Sequence, residues 1–352
     1  MMKNKIKRID GINIIKVIAI IFVPFLHYYN NFNFSDINMV GMSSIIKIGV
    51  HWLCFSCIGL FIMSSGFLLS NKKVSKKYYL KSIKFFVLYF IFLLITQLYN
   101  NGFTTNFFIE LMKNFFTFPA YFWYVAFYLV LYYLIPYLNI ISEKLTKKEY
   151  NIFLITLVLL INVPEFYNSF PSYYGNEKIF YFMNPFNTLY PFVYYYIGAY
   201  IKKFNPDFSK RKSCFILVLT ILIISCIDYT YSKGSQAMFY GGGYGSIITI
   251  IISTCIFNIF YNINIKNKFI SRTINFAASI TFETYLALAL SDRFTDIVIS
   301  KIANPETMSY KYIILTSFTN FICAFILGTI VHLFIRFITK IFLEDKKDIL
   351  RQ

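Results

Sequence analysis

Long apolar runs recur along almost the whole chain, separated by short polar segments, and no other feature limits the possible folds so strongly. Each of the better runs approaches the roughly 20 residues that carry a helix across a hydrocarbon core. Read in order, they predict helices at about 12 to 29, 47 to 69, 85 to 99, 118 to 138, 150 to 163, 187 to 201, 213 to 229, 245 to 261, 274 to 290 and 312 to 337. Composition agrees: 57% of the 352 residues are hydrophobic and 14% charged, where a soluble domain carries roughly a quarter charged. The expectation is an all-α integral membrane protein of about ten transmembrane helices, forming a single polytopic domain over residues 1–352. The first run follows a basic leader but has no small-residue cleavage site, so it reads as a membrane helix and not as a signal peptide.

A formal charge of +18 raises the question of nucleic acid, and the placement of the basic residues answers it. Alternate loops are rich in Lys and Arg. They comprise the start (Lys3, Lys5, Lys7, Arg8), 71 to 84 (Lys72, Lys73, Lys76, Lys77, Lys81, Lys84), 144 to 148, 202 to 212 (including Lys202 and Lys203), 266 to 272, and the tail to Arg351. The intervening loops hold only Lys47, Lys113, Lys178, Lys233, Arg293, Lys301 and Lys311. The split is 26 against 7, with Lys16 left inside the first run. By the positive-inside rule this bias puts the rich loops, and both termini, in the cytoplasm. It absorbs the excess charge, so the partner expected is the lipid bilayer and no nucleic acid is expected.

All six cysteines fall inside the predicted helices, which suits packed thiols better than a disulfide framework. Cys54 and Cys57 have C-x-x-C spacing, yet no second ligand pair stands nearby, and no metal site is expected. Ionisable groups inside a bilayer are costly and point to function: Lys16, His27, Asp228, Glu283 and His332. Asp228 and His332 lie near helix ends and read as interfacial. Lys16 and His27 are eleven residues apart, which at 3.6 residues per turn brings them to nearly one face, about 16 Å apart along the axis. Asn13 extends that stripe by one turn, and Pro24 interrupts the backbone hydrogen bonding just before His27. The alternative is that Lys16 and His27 snorkel to opposite interfaces. A buried carboxylate at Glu283 has to pair with a cation, for which Lys16 or His27 are the candidates, or stay protonated. The loop from Pro164 to Asn187 offers Tyr167, Tyr173, Tyr174, Asn176 and Tyr181, residue types that can bind sugars but fit an aromatic belt better. Gly241, Gly242, Gly243 and Gly245 read as a flexible loop without a phosphate-binding signature.

The stretch Asn13, Lys16, Val17, Ile18, Ala19, Ile20 to His27 resembles the D-x-x-R-x-I-A-I…H pattern of membrane-bound acyltransferase family 3, the bacterial glycan O-acyltransferases. Asn13 replaces the usual Asp and Lys16 the usual Arg, and Lys cannot copy the bidentate fork of Arg. Phe61 through Ser64, Ser65, Gly66, Phe67, Leu68 and Leu69 resembles that family's F-F-x-x-S-G-F-L-L signature. Lys81 and Lys84 stand where relatives often have R-x-x-R. Trp123-Tyr124 through Leu131, Tyr132 to Pro136 is similar to its W-Y…L-Y-x-x-x-P run, and Ile197-Gly198-Ala199-Tyr200 to L-G-Y-Y. Thr281 to Leu288 keeps the tyrosine and leucine of S-F-G-I-Y-L-x-H, puts Glu283 where relatives have a small residue, and loses the histidine.

The resemblance implies transfer of an acyl group, most often acetyl from acetyl-CoA, to a hydroxyl of a cell-surface or secreted polysaccharide. It implies a multi-pass protein of the bacterial cytoplasmic membrane, acting on a cell-envelope glycan with glycan-synthesis partners. The donor is a substrate, and no bound cofactor is expected. His27 is the expected base and Lys16 its cationic companion; Asn13, Ser65, Lys81, Lys84, Trp123 and Glu283 are the expected substrate or donor contacts. A polysaccharide or lipid-linked sugar exporter without acyltransferase activity is the competing reading, although inverted repeats are not visible in the hydropathy.

Overall fold

The computed structural model describes residues 10–31, 41–169, 173–174, 177–178, 186–232, 242–302 and 310–349. Lys3, Lys5, Lys7, Arg8, Asn176, Tyr181, Lys233, Gly241 and Arg351 lie outside the described residues. The helices in chain order are α1 Asp10–Asn31, α2 Met42–Phe55, α3 Cys57–Leu69, α4 Lys76–Leu80, α5 Ser82–Asn101, α6 Phe107–Thr117, α7 Trp123–Lys144 and α8 Lys147–Leu157. They continue with α9 Val163–Ser169, α10 Tyr190–Phe204, α11 Lys210–Ser232, α12 Ile247–Phe260, α13 Lys268–Ser279, α14 Thr281–Ile302 and α15 Tyr310–Ile349. A two-residue antiparallel ribbon pairs Tyr173–Tyr174 with Glu177–Lys178.

Each of the ten expected runs is helical over most of its length. Among the described residues, seven helical segments are long and apolar enough to cross a membrane, or eight if the broken pair α13–α14 counts as one. The runs at 187–201 and 245–261 differ from expectation: α10 has 15 residues and α12 has 14, about 22 Å each at 1.5 Å per residue. Both draw their apolar character from burial inside protein: Val193, Tyr194, Tyr195 and Ile201 of α10 and Ile252 and Phe257 of α12 are fully enclosed. Elsewhere large apolar side chains face outward, as on α11 (Phe215, Val218, Leu222, Ile223) and α15 (Ile326, Ile330, Phe334, Phe337). In water such surfaces would be sticky; in lipid they are solvated.

The chain divides into two compact units, the first formed by residues 1–78 and 131–275 and the second by 79–130 and 276–352. In the first unit α3 packs along α10, and α1 packs on α2, α3 and α12. Glycines set the closeness of these crossings. A Cβ on Gly66 would lie 2.1 Å from the Tyr195 carbonyl oxygen, and one on Gly198 would lie 2.1 Å from that of Met63. Two stretches that carried the family resemblance are therefore the two faces of one backbone-to-backbone contact, the small-residue packing that lets helices associate in lipid. In the second unit α14 runs along α15, and α5 packs on α14 and α6. Ser291 donates to Asn320 between α14 and α15, and Asn320 donates to Asp292, so a chain of three buried polar side chains links the two helices.

The sequence did not suggest α6. It buries Phe107 and Leu111 and leaves Phe108, Ile109, Met112 and Phe116 outside, the pattern of a helix lying along an interface with its apolar side toward lipid.

Candidate functional site

The first turn of α1 fixes where Lys16 and His27 stand. Asp10 is buried, and its Oδ1 accepts from the Ser271 hydroxyl at 2.9 Å and the Asn275 amide at 3.4 Å, while Oδ2 accepts from the Ile265 N–H at 3.1 Å. A Cβ on Gly11 would meet the Phe260 carbonyl oxygen at 2.2 Å, so α1 begins flush against the end of α12. Asn13, expected to extend the stripe, donates instead to the Asn275 side chain. The helix then runs unbroken through the buried Pro24. Ile12, Ile15, Ala19, Val23 and Leu26 form its enclosed face, and Lys16 and His27 are half-buried. Ser65 back-bonds to the Phe61 carbonyl at 3.1 Å and packs within the unit.

Since α12 ends where α1 begins, α12 starts at the opposite end of the first unit, the end toward which α1 carries His27. There a π-helical turn, Val158–Asn162, links α8 to α9; such turns recur at functional positions. Asn162 donates to the Gly245 carbonyl at 2.5 Å, Glu165 Oε1 accepts the Gly243 N–H at 3.0 Å, and Thr249 donates to the Gly243 carbonyl at 3.0 Å. The described part of the glycine loop, expected to be flexible, is thus tied down on both sides. Gly242 supplies the left-handed turn at φ +82°, and a Cβ on Gly245 would sit 2.5 Å from Glu165 Oε2. Tyr194 donates to the Tyr244 carbonyl at 2.8 Å, and the Tyr244 ring lies tilted 4.7 Å from Phe55 and stacked 6.5 Å from Tyr190.

His51, absent from the sequence inventory, packs its ring 5.0 Å from Phe55 and is 1% exposed. The criterion applied to Lys16 and His27, an ionisable group in an apolar run, would have found it. Asp228 is not interfacial: it is fully buried and accepts the Trp52 indole N–H at 2.6 Å. Cys54 and Cys57 flank the helix break at Ser56, whose hydroxyl donates to the Leu53 carbonyl.

In the second unit the expected partners of Glu283 are corrected. Its carboxylate, 2% exposed, holds the Lys84 ammonium at 3.4 Å and the His332 Nδ1 at 3.0 Å, both on Oε1. His332 is consequently a packed partner of a buried acid and not an interfacial side chain. Lys81 is exposed at the start of α5. Trp123 opens α7 inside an aromatic cluster, edge-on to Phe127 at 5.9 Å, beside Tyr124, whose ring meets Tyr285 at 5.5 Å. Tyr285 in turn donates to the Tyr121 carbonyl at 2.7 Å. The expected site residues therefore fall into separate groups: Asn13, Lys16, His27 and Ser65 in the first unit, Lys81, Lys84, Trp123 and Glu283 in the second.

Comparison with known proteins gives one result of weight. A family model described as an acyltransferase domain matches residues 9–339, nearly the whole chain. Neither the curated proteins nor the solved structures include a match. A polytopic helical chain with a half-buried histidine and lysine on its first helix, matched over nearly its whole length by that model, is a membrane acyltransferase, and it belongs to acyltransferase family 3.

Proposed function

We propose that the protein transfers an acyl group, acetyl in the first instance, from acyl-CoA to a hydroxyl of a cell-envelope glycan, with His27 as general base. The supporting observation is the first helix itself: a half-buried imidazole and a half-buried ammonium on one face, about 16 Å apart along a continuous helix. A sugar hydroxyl attacks poorly until a positioned base takes its proton, and imidazole is mostly neutral near pH 7 and able to do so. In the reaction the hydroxyl oxygen bonds to the thioester carbonyl carbon as its proton passes to His27. The carbon–sulfur bond then breaks and the proton leaves with the CoA thiol. Lys16 supplies a positive charge toward the donor side of the same helix, where it opposes negative charge on the transferring group or the phosphates.

The same reading places the lysine-rich loops and both termini in the cytoplasm of a bacterial cell, with about ten passages of the chain through the cytoplasmic membrane. The donor then arrives at the end where α1 begins, and the acceptor meets His27 at the other. Membranes containing the native chain or His27→Ala, supplied with labelled acetyl-CoA, test this. Label should enter surface carbohydrate only with the native chain. Equal labelling by both would remove His27 from the mechanism, and glycan export without labelling would replace transfer by transport.

A further inference from the structure

At the end of the first unit where α1 begins, a cavity of about 810 Å³ opens between the loop after α3 and the ends of α7 and α10. Its position follows from the Tyr261 hydroxyl, just past α12, which meets Asn205, just past α10, at 3.5 Å. The volume lies within the roughly 300–1,000 Å³ of small-molecule sites. Lys72, Lys73, Lys202 and Lys203 line it against a single carboxylate, Glu143.

A topological bias toward lysine explains why amines are at this end, but not why the walls are fixed. Tyr195 donates to Asn139 Oδ1 at 2.5 Å, and the Asn139 amide donates to the carbonyls of Leu69 at 2.9 Å and Lys72 at 2.7 Å, pinning the loop that carries Lys72 and Lys73. Lys203 donates to the carbonyls of Ser142, Glu143 and Leu145 at 2.6 to 3.0 Å. It thereby caps α7 and offsets the negative end of that helix, which would otherwise repel an anion. Lys202 lies over the Phe67 ring at 4.9 Å. Lys72 and Lys73 remain. Both are exposed, and among the described residues neither is in an ion pair. Lys84, expected to meet the donor, is engaged by Glu283.

We propose that this cavity holds the nucleotide end of the acyl donor, an adenosine 3′,5′-bisphosphate group, with Lys72 and Lys73 as its phosphate contacts. The inference rests on acyl-CoA being the donor. Flexible ammonium groups serve as point charges for several phosphates without the fixed planar match that Arg demands. Lys202 adds charge at the wall, and Asn139 and Lys203 keep the wall in place.

The test is equilibrium binding of labelled adenosine 3′,5′-bisphosphate to the full chain in nanodiscs of neutral lipid. The pair Lys72→Gln/Lys73→Gln is compared with Lys147→Gln/Lys148→Gln, exposed lysines outside the cavity. The expected result is saturable binding, displaced by CoA, that weakens about tenfold in the first pair and less than about twofold in the second. Equal weakening in both pairs would reduce the effect to net charge and overturn the proposal, as would absence of nucleotide binding. Loss of co-purifying anionic lipid from the first pair, with nucleotide binding intact, would reassign the cavity to lipid headgroups. The assay needs no acyl transfer, so the two proposals fail separately. Nucleotide bound without any acetyl transfer would sink the function and leave the cavity; transfer with an unchanged KM for acetyl-CoA in the first pair would do the reverse.

Discussion

At the end of the first unit where α1 begins, four lysines and the single carboxylate of Glu143 line a cavity; at the end toward His27, Asn162, Glu165 and Tyr194 hold a glycine loop by hydrogen bonds. The difference is more than a bias of charge. At the amine end, part of the lysine set is consumed by structure: Lys203 closes a helix and Lys202 covers a ring. At the other end Glu165 accepts an N–H of the glycine loop, and the Tyr194 hydroxyl is tied to the Tyr244 carbonyl of the same loop. One end gathers positive charge around a cavity, the other restrains a loop, and α1 runs between them; on the proposed function the first receives the phosphates of the donor and the second the acceptor.

The sharpest way to break this division of labour is His27→Ala. Loss of a positioned base should lower the rate constant of transfer by about 10²- to 10⁴-fold, while nucleotide binding at the amine end stays unchanged. If binding falls with turnover, the ends are not independent. Gly198→Val should have the next largest effect, because its side chain would enter the Met63 backbone. A cost of about 3 kcal/mol or more is expected, read as a lower melting temperature in detergent, with both ends failing together. Trp52→Phe leaves the buried Asp228 carboxylate without its indole donor. It should cost about 1–3 kcal/mol of stability with the KM for either substrate unchanged. The smallest effect belongs to Glu165→Gln, which keeps the shape but weakens the hold on Gly243. The KM for the acceptor should rise roughly threefold, with that for acetyl-CoA constant. A change in the donor KM instead would merge the two ends.

Much of the fold was legible because lipid imposes a simple code: apolar runs and alternating basic loops announce helices and their connections. The code does not distinguish an apolar residue facing lipid from one facing protein. That is why nothing in 187–201 and 245–261 set them apart from the other runs, although α10 and α12 have only 15 and 14 residues and are largely enclosed by protein. Single residues in apolar runs were also legible. Lys16, His27 and Glu283 stood out, and His51 would have by the same criterion. Their partners were not legible. Glu283 meets Lys84 across 199 residues of sequence and His332 across 49, and Asp10 reaches Ser271 across 261. No local spacing encodes such pairs. Asn13 was legible as a polar residue one turn from Lys16, but its commitment to Asn275 was not. The glycine loop was misread because flexibility was inferred from composition, while Asn162, Glu165 and Thr249 that restrain it come from other segments or from the helix that follows.

The contact between Gly66 and Gly198 has a consequence for how such chains can vary over evolutionary time. A side chain at either position would strike a carbonyl oxygen of the opposite backbone, at Tyr195 or at Met63, and every amino acid carries that oxygen. No exchange in the partner helix can therefore make room, and neither glycine can be rescued by a change in the other. Across descendants of a common ancestor the two positions should each stay fixed without varying in concert. Correlated substitution would then be silent at a crossing where the two main chains touch.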